Sequence, residues 1–202
     1  MKKKSLRIVI ANHEAAIRLN VRTMLTEAGH KVVAEATDGD KAVEETRAHK
    51  PDLVILDVGM PGLSSLEVTR QISKEKIAPV LMLMAFNQME TALRHKTPGV
   101  LEYIVKPVEE KNLFPAMEIA VSHWQEIQSL YKELESLKKS LETRKVLDRA
   151  KGILMEVNNF TERESYRRIQ RYAMMKQMSI KEVAEAILSS AKKRGGIYHD
   201  GT

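Results

Sequence analysis

The sequence predicts a doubly wound α/β domain with a five-stranded parallel sheet, followed by a wholly helical region. Over roughly the first 115 residues, short apolar runs alternate with amphipathic segments of helical length, which is typical of repeated βα units. From Ala116 onward this alternation ends, and two later segments open with helix-capping sequences. The chain therefore divides into an N-terminal α/β part and a C-terminal helical part.

Five apolar runs are the predicted strands, and most are almost continuously apolar, as expected of strands that helices cover on both faces. The runs are Leu6–Ala11, Val32–Ala36, Leu53–Val58, Val80–Phe86 and Tyr103–Val105. Helical patterns occupy residues 14–28, 40–48, 64–73 and 88–95, and resume at residue 109. Because such sheets bind ligands at the carboxyl ends of their strands, we expect a site there.

The composition excludes several classes of protein. The chain has 202 residues and no cysteine, so it has neither a disulfide framework nor a thiolate metal site. No apolar stretch approaches the ~18–20 residues that span a bilayer. The basic residues at positions 2–4 lack the apolar segment of a secretory signal. We therefore expect a cytoplasmic protein with no membrane partner.

The net charge of +6 is unevenly distributed. Residues 1–120 carry 17 basic and 16 acidic side chains, whereas residues 121–202 carry 16 basic and 11 acidic ones. This imbalance places any polyanion-binding surface in the C-terminal part. A solvated helical face is the alternative interpretation of the same charges.

Two charged residues follow buried strands and are candidates for a shared site. Asp57 ends the third predicted strand and is followed by Met60-Pro61-Gly62, while Lys106-Pro107 follows the fifth. Strand ends meet at one edge of a parallel sheet, so the ammonium group is expected beside the carboxylate. There it stabilises the carboxylate anion and can neutralise a phosphoryl group.

These motifs resemble the receiver domain of response regulators, from about residue 5 to residue 120. The matching segments are Arg7-Ile8-Val9-Ile10, Pro51 to Asp57, Met60-Pro61-Gly62, Ala78-Pro79-Val80 and Tyr103 to Pro107. The resemblance implies a flavodoxin-like fold, with Asp57 as phosphoacceptor and Lys106 as its partner. It also implies that Tyr103 is an aromatic residue that reorients on activation, and that a histidine kinase is a partner.

Three positions depart from the receiver pattern. Asn12 and His13 stand where receivers carry two acidic residues that hold Mg²⁺, a cation that prefers hard oxygen ligands. Met84 stands where receivers carry Thr or Ser, and its side chain cannot donate a hydrogen bond to a phosphoryl group. We therefore expect a degenerate receiver with weak or no phosphorylation and a poor Mg²⁺ site. A metal site formed by His13 and Asp57 is a weaker alternative, because two ligands do not complete a coordination sphere.

A leucine-rich stripe predicts a coiled-coil linker helix over residues 121–144. Its apolar residues recur at spacings of three and four: Ile127, Leu130, Leu134, Leu137 and Leu141. So narrow a stripe favours a parallel homodimer over packing within one chain. An amphipathic helix packed on its own domain is the alternative.

The C-terminal region predicts a three-helix domain over residues 145–194. Thr161 to Glu164 and Ser179 to Glu182 are capping boxes that begin its second and third helices. Ala150-Lys151-Gly152, Arg171-Tyr172-Ala173-Met174 and Val183-Ala184 resemble the ANTAR family of transcription antitermination regulators. The resemblance implies binding to paired RNA hairpins that prevent a terminator from folding.

The side chains predicted to bind RNA are basic or aromatic and lie close together in the sequence. They are Lys151, Arg167, Arg168, Arg171, Tyr172 and Lys176. Guanidinium groups beside an aromatic ring suit an unstacked loop base, because A-form RNA hides its base edges in a narrow major groove. Each residue has a structural alternative: the arginines as ordinary exposed residues and Tyr172 as bundle core.

The sequence therefore predicts a regulatory RNA-binding antiterminator, without catalytic residues, that binds hairpins in a terminator leader. Two alternatives remain open. One is a DNA-binding regulator with a helix-turn-helix, although few base-reading side chains begin its third helix. The other is a protein-interaction scaffold that binds no nucleic acid. An enzyme is disfavoured, because Asp57 and Lys106 support at most self-phosphorylation and dephosphorylation.

Overall fold

A computed structural model describes residues 5–88 and 99–193 of the chain. The chain divides into two compact units, of which the first ends at Ser129 and the second starts at Leu130. The boundary between them lies inside one long helix. Apart from residue 88, the predicted helix at 88–95 lies outside the described residues. Within the described ranges, no helix has the length and apolar character needed to cross a membrane.

The N-terminal unit has the predicted alternation of strands and helices. Its elements are β1 (Arg7–Ala11), α1 (Ala15–Glu27), β2 (Lys31–Ala36), α2 (Gly39–His49), β3 (Leu53–Asp57), α3 (Ser65–Lys74), β4 (Val80–Met84), a short 3₁₀ turn (Phe86–Gln88), β5 (Val100–Val105) and the first part of α4 (Glu110–Asn158). The strands match the predicted apolar runs closely, except that β5 begins three residues before Tyr103.

The five strands form one parallel sheet in the order β2-β1-β3-β4-β5. β1 lies between β2 and β3, and its residues Ile8 to Ala11 pair with Leu53 to Leu56. The connections leave β1 and β3 in opposite directions along the sheet, which opens a crevice at their carboxyl ends. The predicted doubly wound fold is confirmed, and the ends of β1 and β3 frame the candidate site.

The core of this unit has two layers because successive strand residues face opposite sides of the sheet. Ile8 and Ile10 of β1 pack into one cluster with α1 and the start of α4. Val9 and Ala11 pack into the other cluster, with α2 and α3. All residues of β3 and β4 are buried, which explains their continuous apolar sequences.

The C-terminal unit consists of the remainder of α4, α5 (Glu162–Lys176) and α6 (Ile180–Lys193). The segments predicted as a linker helix and as the first bundle helix belong to the same helix, since α4 has no break between residues 121 and 158. The domain limits 5–120, 121–144 and 145–194 remain predictions. Five buried residues form the core of this unit: Ala150, Ile169, Ala173, Val183 and Ala184.

Both predicted capping boxes are present. The hydroxyl of Thr161 accepts a hydrogen bond from the amide of Glu164 at 3.3 Å, and the Glu164 carboxylate accepts one from the amide of Thr161 at 2.9 Å. Ser179 and Glu182 make the same reciprocal pair at 3.2 and 2.7 Å. Each pair satisfies amide groups that a helix N-terminus leaves without an intrahelical partner.

Candidate functional site

The carboxylate of Asp57 lies at the end of β3 and is 1% exposed. The ammonium Nζ of Lys106, just beyond β5, is 2.8 Å from its Oδ1. The backbone amide of Lys106 donates to the carbonyl of Met84 at 2.8 Å, which ties the end of β5 to the end of β4. The predicted proximity of Asp57 and Lys106 is therefore present at the carboxyl edge of the sheet.

Lys106 also contacts a second carboxylate, on Glu14. Its Nζ lies 3.2 Å from Oε1 of Glu14, the residue that precedes α1. Burial disfavours the charged ammonium, but the hydrogen bonds and charges of Asp57 and Glu14 outweigh this, so the pKa of Lys106 is raised. The sequence placed Glu14 at the start of the first helix, beside the site, and gave no sign of this contact. Lys106 is thus a charged bridge between two carboxylates.

Asn12 and His13 follow β1 and reach the same crevice. The amide oxygen of Asn12 accepts a hydrogen bond from the backbone amide of Glu14 at 2.8 Å. Its nitrogen Nδ2 is buried, and no acceptor among the described residues pairs with it. His13 Nδ1 lies 3.4 Å from Asp57 Oδ2, within ion-pair distance if the ring is protonated, but no described group donates a hydrogen bond to that oxygen.

Candidate ligand atoms of His13, Glu14 and Asp57 lie within 4.8 Å of one another, so this group could hold a metal ion. The donor set fits Mg²⁺ poorly. One ligand is an imidazole, and both carboxylates are already paired with Lys106, whereas Mg²⁺ requires hard oxygen ligands in near-octahedral geometry. The amide oxygen of Asn12 is also occupied. Lys106 therefore pairs with both carboxylates that a metal ion would use as ligands.

The two remaining predicted receiver positions lie on β4 and β5. Met84 is completely buried at the end of β4, where it offers a thioether and no hydrogen-bond donor. Tyr103 is partly buried and packs against the cluster on the α2 and α3 side of the sheet. Five of the six predicted positions thus surround the strand ends, and Tyr103 lies further back along β5.

In the C-terminal unit the predicted RNA-binding side chains fall into three groups. Ser165, Ile169 and Ala173 form the buried face of α5. The first group consists of Arg167 and Arg171, which are four residues apart, lie on the opposite face of α5 and are exposed. They form the outward basic face of the helix.

The second group lies on one flank of α5. The guanidinium carbon of Arg168 is 4.1 Å from the centre of the Phe160 ring, which is a cation–π contact. Both residues, together with Tyr172, line an open cavity of about 740 Å³ between the end of α4, α5 and α6. The sequence analysis did not include Phe160 among the RNA-binding residues. Its position as an aromatic residue in the turn before a basic helix is the signal that could have identified it.

Lys151 and Lys176 are separate from these arginines. The Nζ of Lys151 lies 2.8 Å from Asp148 Oδ1 and 2.7 Å from Glu162 Oε1, and the side chain is 14% exposed. The hydrogen bonds of Asp148 and Glu162 raise the pKa of Lys151. Lys176 is exposed at the end of α5. The structure thus brings Arg168 and Tyr172 together and leaves Lys151 within a local ion-pair network.

The leucine stripe lies on α4 and faces solvent in the single chain. Leu130, Leu134, Leu137 and Leu141 are each between 46% and 59% exposed, and Ile127 is partly buried.

Comparison with known families identifies both parts of the chain. The family "Response regulator receiver domain" matches residues 8–118, and the family "ANTAR domain" matches residues 135–188. Proteins of both families are in general regulators and not enzymes.

Two relatives and one solved structure are similar to most or part of the chain. The transcriptional regulatory protein PdtaR of Mycobacterium tuberculosis is 42% identical over 184 residues, which cover 91% of this chain and 90% of that protein. The chemotaxis protein CheY of Bacillus subtilis is 33% identical over 114 residues, 55% of this chain and 93% of that protein. A receiver domain protein of Clostridium thermocellum superposes with a TM-score of 0.54 at 25% identity, covering 60% of this chain and 98% of that structure.

Proposed function

The chain belongs to the response regulators, with a receiver domain followed by an ANTAR domain, and we propose that it binds RNA through α5 under weak or no control by phosphorylation. Membership of both families makes it a response regulator that acts as an RNA-binding antiterminator. The residues that bind RNA, the state of the receiver and the oligomeric state are the finer parts of the proposal. Each rests on a separate set of contacts.

The outward basic face of α5 supports RNA binding at Arg167 and Arg171. Both guanidinium groups are exposed, so they can reach phosphate oxygens or stack on a loop base. We expect Arg167→Ala with Arg171→Ala to weaken binding to a tandem-hairpin RNA by about tenfold at ~150 mM salt. The matched control is Lys138→Ala with Lys139→Ala, which removes the same charge from exposed positions on α4. Equal losses in the two double variants would remove the assignment to α5.

Lys151 contributes to this surface indirectly. Its ammonium group is already paired with Asp148 and Glu162, so it offers less charge to a phosphate than an unpaired lysine would. The pair with Glu162 connects α4 to the first turn of α5. We therefore assign Lys151 mainly to positioning α5, with a weaker effect on RNA affinity than that of the arginines.

The receiver site supports weak phosphorylation, and one observation carries this. Lys106, the group that would neutralise an incoming phosphoryl group, bridges Asp57 and Glu14, while Asp57 is almost fully buried. Asn12 and His13 supply no carboxylate for Mg²⁺, and Met84 supplies no hydrogen-bond donor. The reaction then lacks charge neutralisation worth several kcal/mol. The domain retains the fold that a kinase would recognise, so a histidine kinase is the partner to test.

Mass analysis of the intact chain after incubation with acetyl phosphate and Mg²⁺ tests this part of the proposal. We expect little phosphorylation of the wild-type chain, and none of the Asp57→Asn control. Ready stoichiometric modification at Asp57 would contradict it. The same assay with a histidine kinase as donor shows whether a protein partner overcomes the missing metal ligands.

The exposed leucines of α4 support a homodimer. Pairing of two stripes would cover side chains that are about half exposed in the single chain. We expect Leu134→Lys to shift the sedimentation equilibrium toward monomer, because a buried ammonium group at the seam would be unpaired. Glu135→Lys, on the next residue, is the control and should leave the equilibrium unchanged. A wild-type chain that sediments as a monomer would contradict the proposed homodimer.

One feature favours the DNA-binding alternative. Only residues 177–179 separate α5 from α6, which is the short turn of a helix-turn-helix. Against it, α6 begins with Ile180, Lys181 and Glu182, and Lys181 already lies 3.4 Å from Glu142. The start of α6 is therefore poor in side chains that could read base edges, and RNA remains the better supported partner.

A further inference from the structure

The cavity of the C-terminal unit is lined by apolar and polar side chains, which the basic charge of α5 alone does not explain. Its volume is about 740 Å³, within the range of sites that bind small molecules or single nucleotides. Its floor is apolar, with Ile169 and Val183 both almost fully buried. Asn158 and Ser190 supply polar groups at its wall.

Two aromatic rings and a guanidinium group line the same cavity. Phe160 has its ring in contact with Arg168, and Tyr172 follows Arg168 by one helical turn with its side chain 47% exposed. Flat aromatic and guanidinium surfaces are what proteins use to stack the unpaired bases of RNA loops. An aliphatic ligand would gain nothing from the guanidinium group, whereas a base would stack on it.

Positive charge borders the cavity on the side of α5. Arg171 lies three residues after Arg168, so the two guanidinium groups are neighbours on the helix surface. A nucleotide whose base entered the cavity would have its flanking phosphates close to these two cations. Charge and aromatic surface therefore favour the same kind of occupant.

We propose that this cavity receives one unstacked base from the loop of the bound RNA hairpin. The base stacks against the aromatic surface of Phe160 and Tyr172, and Asn158 and Ser190 are the candidate hydrogen-bonding groups for its edge. The guanidinium group of Arg168, which lies over the Phe160 ring, continues this stacking surface, and Arg171 contacts a flanking phosphate. This inference rests on the proposed RNA-binding function and adds the residues that distinguish one loop sequence from another.

A variant that fills the cavity tests the inference without changing its charge. Ala186 lines the cavity from α6 and is exposed, so Ala186→Phe places a ring in the cavity at little cost to the buried core. Ser189→Phe is the matched control, on an exposed residue of α6 that does not line the cavity. Helical content and the unfolding midpoint establish that both variants fold.

The probe is an RNA hairpin isolated with the wild-type chain from a pool of hairpins with randomised loops. Each loop base is then removed in turn to leave an abasic position. We expect one abasic position to weaken binding by the wild-type chain by about tenfold or more, the usual effect of losing a stacked base. Ala186→Phe should bind the intact hairpin as weakly as the wild-type chain binds that abasic hairpin, with no further loss on base removal. Ser189→Phe should behave as wild type.

The outcomes separate this inference from the proposed function. If the wild-type chain selects no RNA from the pool, the proposed function fails, and the inference fails with it. If Ala186→Phe binds RNA with the full dependence on that base, the cavity does not receive it, although RNA binding stands. If Ala186→Phe changes the sedimentation equilibrium and leaves RNA binding intact, the cavity is a contact between two copies of the chain and the inference is overturned.

Discussion

In the N-terminal unit the candidate site is a compact group of side chains around the buried carboxylate of Asp57, whereas in the C-terminal unit the candidate interface spreads over the exposed side chains of α5. Buried charges interact strongly, so one altered side chain in the crevice can change what the site does. Exposed cations contribute in small, screened increments. We therefore expect single substitutions to have different consequences in the two units.

The two units also differ in the size of the side chains that form their cores. The sheet of the N-terminal unit is packed on both faces by large side chains such as Ile10, Leu56 and Leu81. The C-terminal core contains three alanines among its five buried residues, with Ile169 and Val183 as the larger ones. A core of that size supplies little stability by itself, so each of its large residues is a greater share of the total.

The largest expected effect is the truncation of one buried residue in each core. Ile169→Ala and Leu81→Ala should each cost roughly 2–5 kcal/mol of unfolding free energy. We expect the C-terminal unit to unfold at room temperature in the first variant and the N-terminal unit to remain folded in the second. Thermal unfolding followed by circular dichroism, with RNA binding as a second readout, checks this. An equal decrease in the unfolding midpoint of both units would contradict the expected difference between the two cores.

The next effect concerns restoration of the receiver site. Asn12→Asp, His13→Asp and Met84→Thr together supply two oxygen ligands for Mg²⁺ and one hydrogen-bond donor. The rate of Asp57 modification by acetyl phosphate should rise by about 100-fold, which corresponds to a few kcal/mol of barrier. Met82→Thr, which changes a buried methionine of β4 two residues before Met84, on the same face of the sheet but away from the strand end, is the control. An unchanged rate in the triple variant would mean that burial of Asp57, and not the missing ligands, limits the reaction.

A smaller effect is expected in the salt dependence of RNA binding. Each phosphate contact contributes about 0.7–0.9 to the slope of log K against log salt concentration. Removing Arg167 and Arg171 should therefore lower the slope by roughly one to two. Lys151→Ala should lower it by less than the ~0.7–0.9 of one phosphate contact, because Asp148 and Glu162 already neutralise that ammonium group. A decrease of ~0.7–0.9 for Lys151→Ala would contradict the distinction between these cations.

The smallest effect concerns the cap of α5. Thr161→Ala removes the hydroxyl that accepts from the Glu164 amide and should cost about 1 kcal/mol. Hydrogen bonds from the Thr161 amide and hydroxyl hold the pKa of Glu164 below its ordinary value of 4.5. A depressed carboxyl pKa adds stability above the unfolded pKa, and this stability is lost as the pH falls through the folded pKa. The difference in midpoint between wild type and Glu164→Gln should therefore shrink as the pH falls below the ordinary carboxyl pKa of 4.5, and a difference independent of pH would contradict the contribution of the charge.

The sequence predicted the sheet and the pairing of Asp57 with Lys106 because both depend on local patterns. Apolar runs mark the strands, and residues that end parallel strands meet at one edge. The contact between Lys106 and Glu14 was not predictable, since it joins residues 92 positions apart through side-chain geometry. The sequence predicted a linker helix followed by a first bundle helix. In the structure no break separates these two segments, because α4 continues through residue 158.

The RNA-binding residues were predictable as a group and not in their arrangement. Their four-residue spacing places Arg167 and Arg171 on one face of α5. The pairing of Lys151 with Asp148, three residues earlier, follows a spacing that could have been recognised, but its contact with Glu162 depends on how the helices pack. The stacking of Arg168 on Phe160 likewise depends on packing, which a single sequence does not specify.

A binding competition at ~150 mM salt tests the central claim most directly, because phosphate contacts make such affinities depend strongly on salt. Labelled tandem-hairpin RNA from a terminator leader competes against duplex DNA of equal charge, with and without acetyl phosphate and Mg²⁺. We predict selective binding to the RNA that acetyl phosphate leaves unchanged. RNA binding that appears only after phosphorylation would contradict the degenerate receiver. Equal binding to both polymers, or to neither, would contradict recognition of RNA by the C-terminal unit.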